Sequence, residues 1–262
     1  MISSLWTSAT GMNAQQTNID VISNNLSNVN TAGFKKSRVN FEDLMYRNIR
    51  QPGSPNAQGE EIPVGIEIGH GSKVSATQKI FGEGDVQTTN NPLDILIEGD
   101  GFLEVTLPDG TQAYTRDGSL KQDSDGRLVT SDGHLISPEI VLPPDTEDVT
   151  ITSDGTINVK RGGMDDTEVV GQLELYRFTN NAGLNSIGRN LYRPTPASGE
   201  PIFGFPGEEG LGTINQGFLE MSNVKVVEEM VNMIAAQRAY DVNSKSIQAA
   251  DEMLQTANQL RR

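Results

Sequence analysis

Two rows of apolar residues at a strict seven-residue interval, one at each end, constrain this chain more than anything between them. Leu5, Met12, Ile19 and Leu26 form the first row, and Val226, Met233, Tyr240, Ile247 and Leu254 the second. A seven-residue apolar repeat marks a coiled-coil seam, where helices bury one narrow stripe against each other. The pattern predicts a helix from about Ser3 to about Asn28 and another from about Ser222 to about Gln259. The fold expected is α+β, with long N- and C-terminal coiled-coil helices flanking a central all-β domain.

Each predicted helix carries further marks. The polar face of the first is Gln, Asn, Ser and Thr where a solvent face would carry Lys and Glu. It is expected to stop where Asn28 and Asn30 tolerate left-handed backbone and Gly33 adopts it freely. A core helix of a globular domain is the plainer reading. In the second helix Ala236, Ala250 and Ala257 follow three row members by three residues, so large and small side chains alternate and helices can approach closely. Ser222 or Asn223 is expected to cap its start, and Arg261 and Arg262 to complement its end. About 38 residues would make a rod of roughly 57 Å, longer than a β body of about 140 residues can cover. Burying five apolar side chains contributes on the order of 10 kcal/mol. Ordering some sixty helical residues costs about 1–2 kcal/mol each in backbone entropy. Both ends are therefore expected to be largely disordered in the free monomer and to fold on assembly.

Charge follows the same division. Residues 1–34 hold one acid and no Lys or Arg, and residues 221–262 hold five acids and five bases. The remainder carries 29 acids against 15 bases, most of the net charge of −15. Such a balance argues against a nucleic-acid partner. No apolar run is long enough to span a membrane, and the N-terminus lacks the basic and apolar regions of a cleaved signal peptide. There are no cysteines, hence no disulfides or thiolate metal sites.

Residues 75–218 read as β. Asp-Gly turns at 109–110, 117–118, 125–126, 132–133 and 154–155 punctuate short alternating stretches. GFLEVTL and TQAYTRD predict one hairpin and GRLVTSDGHLI another, in a sandwich or small barrel. Residues 34–74 form a connecting arm whose Pro- and Gly-rich centre reads as an extended loop or protruding hairpin. Tyr46, Ile49, Pro52, Gly53, Ile62, Pro63, Val64 and Ile66 offer contacts there without a core of their own. The domains expected are thus 1–33, pairing with 219–262, then 34–74, 75–218 and 219–262.

No constellation points to catalysis. His70 and His134 are isolated and read as loop residues. GIEIGHGSK lacks the Gly-Lys-Ser/Thr of a phosphate loop, and DSDGR at 123–127 is half a calcium loop, better read as a tight turn. No cofactor or metal is expected.

Several long motifs carry a resemblance. NNLSNVNTAGFKK, NPLDILIEGDGF, YTRDGSL, GRLVT, GLNSIGRNLY and the stretch Ile214–Leu254 are similar to the bacterial flagellar axial proteins of rod and hook, over nearly the whole chain. In that family Asn25, Asn28, Asn30, Gly33 and Phe34 belong to the signature turn. The chain departs modestly at Leu103, where an aromatic is usual, and at Leu120, where Phe is frequent. The arm segment Leu44–Gly71 resembles an insertion that separates rod from hook. The resemblance implies a subunit of the distal rod, a straight, stiff tube that carries torque from motor to hook and encloses the export channel. Its partners would be copies of itself, proximal rod proteins, the hook protein, the surrounding outer-membrane and peptidoglycan ring, and the flagellar export apparatus. It would lie in the basal body across the periplasm after type III export. A proximal rod or hook protein of the same family is the alternative, and a β-domain enzyme or binding module with dimerising helices is a different class.

Overall fold

The computed structural model describes residues 2–53, 63–162, 167–208 and 210–259. The chain divides into two compact units. One gathers residues 1–27, 37–78 and 225–262; the other gathers 28–36 and 79–224.

The first unit is built on two helices and a ribbon. Helix α1 spans Ile2–Ser27 and α2 spans Val226–Gln259. Strands β1 (Ser37–Asp43) and β4 (Ser72–Lys79) pair, and β2 (Tyr46–Arg50) pairs antiparallel with β3 (Ile66–Gly69). Bonds from Leu44 N to Gly71 O (2.8 Å) and from His70 N to Met45 O (3.3 Å) link the two pairs into one long ribbon. Of the extended loop or protruding hairpin expected in the arm, the described residues show the paired strands β2 and β3, while Ile62 and the rest of 54–62 lie outside the described residues. Helix α2 starts later than expected. Glu229 N bonds Lys225 O (3.0 Å), so Lys225 is the capping residue. Ser222 Oγ instead accepts from Val224 N, and Asn223 is engaged elsewhere. Arg261 and Arg262 lie outside the described residues.

The second unit is antiparallel β. A seven-stranded sheet runs in the order 185–188, 191–193, 112–115, 103–106, 135–137, 128–129, 121–122. A three-stranded sheet is formed by 146–151, 156–161 and 167–172. Leu103, Leu128 and Ile136 of the first share a core with Val149, Ile151, Ile157 and Val159 of the second. Both expected hairpins form. Leu103 faces Thr115 across the first, and Val129 faces Leu135 across the second. At positions 110, 126, 133 and 155 the glycine has positive φ, as these turns require; Gly118 does not. Leu103 and Leu120, the two departures from the family pattern, are both fully buried in the main core. A separate aromatic cluster holds Phe102, Tyr114, Phe178 and Tyr192, with edge-on ring contacts such as Tyr114–Phe178 at 4.9 Å.

Candidate assembly surface

Three features could carry assembly: a helix pair with one face covered and one bare, a signature turn locked from below, and an apolar ribbon.

The helices run antiparallel. Ser8 Oγ donates to Ser246 Oγ (3.1 Å), Gly11 approaches Asn243, and Asn25 reaches Glu229. A step forward in α1 is thus matched by an equal step back in α2. Gly11 is unfavourable inside a helix by about 1 kcal/mol relative to Ala. Here a Cβ would sit 2.9 Å from Asn243 Nδ2, so contact explains its presence. The positions most covered in α1 are Ser8, Ala14, Ile22 and Asn25; Leu5, Met12, Ile19 and Leu26 are half-buried. In α2 the covered positions are Glu229, Ala236 and Ala250, with Met233, Tyr240, Asn243, Ile247 and Leu254 half-buried; Val226 stands exposed. Most of the fully covered positions are small, with Ile22, Asn25 and Glu229 the exceptions, while the large row members are covered only in part.

The opposite side of α2 is bare. Val227, Met230, Val231, Ile234, Val242 and Met253 are exposed, Val227 to 75%. Four of these lie together in residues 227–234, and an exposed apolar group of this kind on an isolated chain marks an interaction surface.

Asn25 clasps the start of β1. Its Nδ2 donates to Ser37 O and its Oδ1 accepts from Ser37 N, both at 2.9 Å, while Nδ2 also reaches Glu229 Oε2 at 3.2 Å. One side chain thereby satisfies both backbone groups of Ser37.

The signature turn belongs to the second unit. Gly33 has φ of +68°, its N–H donates to Glu220 O (2.8 Å), and a Cβ there would lie 2.8 Å from Asp117 N. Conformation and space both demand glycine. Neither Asn28 nor Asn30 has the left-handed backbone expected of it. Asn28 instead accepts from the Thr31 amide (3.2 Å) and hydroxyl (3.3 Å). Phe34 is buried under Lys79, whose ammonium lies 5.0 Å from the ring centre. Asn190 Nδ2 donates to Ala32 O (2.7 Å), and Asn223 Oδ1 accepts from Lys36 N (2.8 Å).

Beneath the turn lies an ion cluster invisible to sequence reasoning. Lys35 and Glu220 meet at 2.5 Å, and Arg116 Nε donates to the other Glu220 oxygen at 3.1 Å, with all three side chains buried. Backbone oxygens take further donors: Lys35 Nζ bonds Gly82 O (2.9 Å), and Arg116 Nη2 bonds Ile97 O (3.1 Å) and Gly99 O (2.8 Å). Burial alone would raise the Glu220 pKa, but Arg116 and then Lys35 outweigh it and hold the carboxyl below its ordinary value. Burial, reinforced by Arg116, pushes the Lys35 pKa down despite Glu220. The three residues lie far apart in sequence, and Lys next to Gly-Phe gives no sign of being buried.

The ribbon is apolar and exposed. Met45 (85%), Tyr46, Ile49, Val64, Ile66 and Ile68 face solvent, as do Pro52, Gly53 and Pro63. His70 sits at the ribbon's link, and His134 is buried, with its Nε2 unbonded. Residues 123–127 make a turn in which the Arg127 guanidinium binds the carboxylates of Asp123 and Asp125. Among the described residues there is no cluster of His, Cys, Asp or Glu able to hold a metal ion, and no helix is long and apolar enough to cross a membrane.

Comparison with known proteins matches these parts one by one. Residues 5–35 match the flagella basal body rod protein family, 96–159 the flagellar hook protein FlgE/F/G D1 domain, and 215–260 the flagellar basal body rod FlgEFG protein C-terminal family. The flagellar basal-body rod protein FlgG of Borreliella burgdorferi is 52% identical over 264 residues, covering all of both chains. Its namesake in Caulobacter vibrioides is 44% identical over 258 residues and 98% of each chain, and that of Bacillus subtilis 40% over 269 residues and all of each. None of these families is an enzyme family. With its helical ends, its β core and its full length all matched, the chain belongs to the family of flagellar basal-body rod proteins.

Proposed function

We propose that this chain is a structural subunit of the distal rod, which polymerises into a straight, rigid tube that transmits torque and encloses the export channel. The observation that carries the reading is the bare apolar side of α2, opposite the side occupied by α1. A helix with two apolar sides has one for its own partner and one for another molecule. The covered positions of α2 recur at alternating steps of four and three from Glu229 to Leu254, which supports coiled-coil packing within the pair. Stiffness then arises because torsion must strain many such seams together.

The exposed ribbon supports assignment to the rod over the hook. Wedged between neighbouring subunits, it would block the sliding that lets a hook bend. Its partners in the axial structure would be the proximal rod, the hook and the encircling ring. Export would take the unfolded chain through the flagellar type III apparatus, with the helical ends completing their folding on assembly. Circular dichroism of dilute monomer should accordingly show less helix than the polymer.

Negative-stain microscopy of concentrated protein tests the reading. Straight tubes are expected, and deletion of residues 51–62 should give curved ones. A soluble dimer that never grows would defeat it; tubes that stay straight after the deletion would move the stiffness elsewhere.

A further inference from the structure

A cleft of about 200 Å³ opens in the β unit, walled by Val86, Leu96, Ile97 and Phe218. Its charged lining is acidic, Glu83, Glu98 and Glu220, with no Lys or Arg. Glu220 is already paired with Lys35 and Arg116. Glu83 and Glu98 are exposed, and among the described residues their bonds are to neutral donors. Gly99 N donates to Glu83 Oε1 and Asn215 Nδ2 to Glu98 Oε2, both at 2.8 Å. Pockets that hold whole small molecules run from about 300 to 1,000 Å³. This cleft has room for one side chain. Apolar walls beside two carboxylates without an ion pair fit a long stem with a cationic head.

The chain carries such a group on a strained backbone. Among the described residues, Arg189 is the only one besides glycines and asparagines with positive φ (+55°). It stands in the turn between the strands Asn185–Gly188 and Leu191–Arg193. Left-handed backbone is uncommon for so large a side chain and persists only where the surroundings impose it. Here the next residue is anchored twice: Asn190 Nδ2 donates to Ala32 O (2.7 Å), and Asn190 O accepts from Thr115 Oγ1 (3.0 Å). The guanidinium itself is loosely held. The Arg189 side chain is 66% exposed, and Asp132 stands 3.9 Å from its Nε, too far for a hydrogen bond.

Resting on the rod reading above, we infer that Arg189 of one copy inserts into this cleft of another. Its methylenes lie along Val86, Leu96 and Phe218, and its guanidinium meets Glu83 and Glu98. The planar fork of an arginine can serve two carboxylates at once, which an ammonium does less well. The anchored turn sets the arginine in place before the copies meet, so less freedom is lost on docking. One side chain cannot hold two molecules together. The contact therefore counts only where others already align the copies, as in a polymer.

The chain has no cysteine, which makes cross-linking unambiguous. Ile187→Cys, beside the turn, and Val86→Cys, in the cleft wall, are purified separately, mixed one to one, polymerised, and treated with a short bismaleimide. Covalent dimers are expected from the mixed polymer and from neither variant alone. Polymer without dimers would overturn the inference and leave the rod reading standing, as would dimers from either variant alone, which would mean that like meets like. If the unsubstituted chain forms no polymer, the rod reading fails and this inference with it. The strain gives a second readout. Arg189→Gly relieves it, so the monomer should melt no lower, while the concentration needed for polymer should rise at least tenfold. Glu83→Gln with Glu98→Gln should raise that concentration comparably, and adding Arg189→Gly to the pair should change it no further, since both remove one contact. A lower monomer melting point for Arg189→Gly, unchanged polymerisation, or effects that add would overturn the docking.

Discussion

The carboxamide of Asn25 holds Ser37 by both its backbone N–H and its carbonyl, each at 2.9 Å, across the turn that separates α1 from β1. The same amide touches Glu229 of α2. One side chain therefore ties the end of one helix, the start of a strand and the first turn of the other helix.

Replacing Asn25 by Ala leaves both Ser37 groups and Glu229 without their partner. A buried polar group left unsatisfied costs about 1–3 kcal/mol, and the loss should fall on the helical unit. Asn25→Asp should be worse near neutral pH, since it removes the donor and sets a carboxylate against Glu229. Thermal melts at 222 nm check the stability, and faster hydrogen exchange at the Ser37 amide checks the site.

Glu220→Gln strands two buried cations. Removing one partner of a buried ion pair typically costs about 3–5 kcal/mol, so the β unit should lose that order of stability in denaturant titrations. The pH dependence has a definite sign. The folded carboxyl titrates below the ordinary glutamate value of 4.5, so the unfolded chain takes up the proton first. The stabilisation is complete above about pH 4.5 and is lost as pH falls through the lower folded value. Glu220→Gln should flatten the acid limb of the stability curve; an unchanged limb would show that other carboxylates govern it.

Gly33→Ala should destabilise the β unit by about 2 kcal/mol or more. Left-handed backbone costs a side chain about 1–2 kcal/mol, and the added methyl meets the Asp117 backbone. Melting of the β unit in the full chain checks it; a change below 0.5 kcal/mol would mean that the turn relaxes.

The two sides of α2 should respond differently. Val231→Glu and Ile234→Glu alter exposed positions, and surface changes usually stay within about 0.5 kcal/mol. The subunit should keep its stability and fail to polymerise. Ala236→Glu places a carboxylate at a buried position of the helix pair and should unfold that pair in the subunit itself. Melting curves alongside sedimentation separate the outcomes, and equal effects from both sides would defeat the distinction.

The amino-acid sequence alone determined the helices, the hairpins and the family. Periods of seven and two, and Asp-Gly turns with positive φ at four of their five glycines, are local properties that neighbouring residues impose on one another. Tertiary structure decided which residues are closest inside the pair and which carry the turn. The large members of the Leu5 and Met233 rows marked the helix faces but are only half-buried, whereas Ser8, Ala236 and Ala250 are buried and Gly11 comes against Asn243, because small side chains let backbones approach. No local pattern sets Lys35, Arg116 and Glu220 apart from other charges, and only the fold brings them together. A charge can be buried only when its counter-charge and hydrogen-bond partners converge on it, and convergence over such separations is a property of topology that no local pattern records.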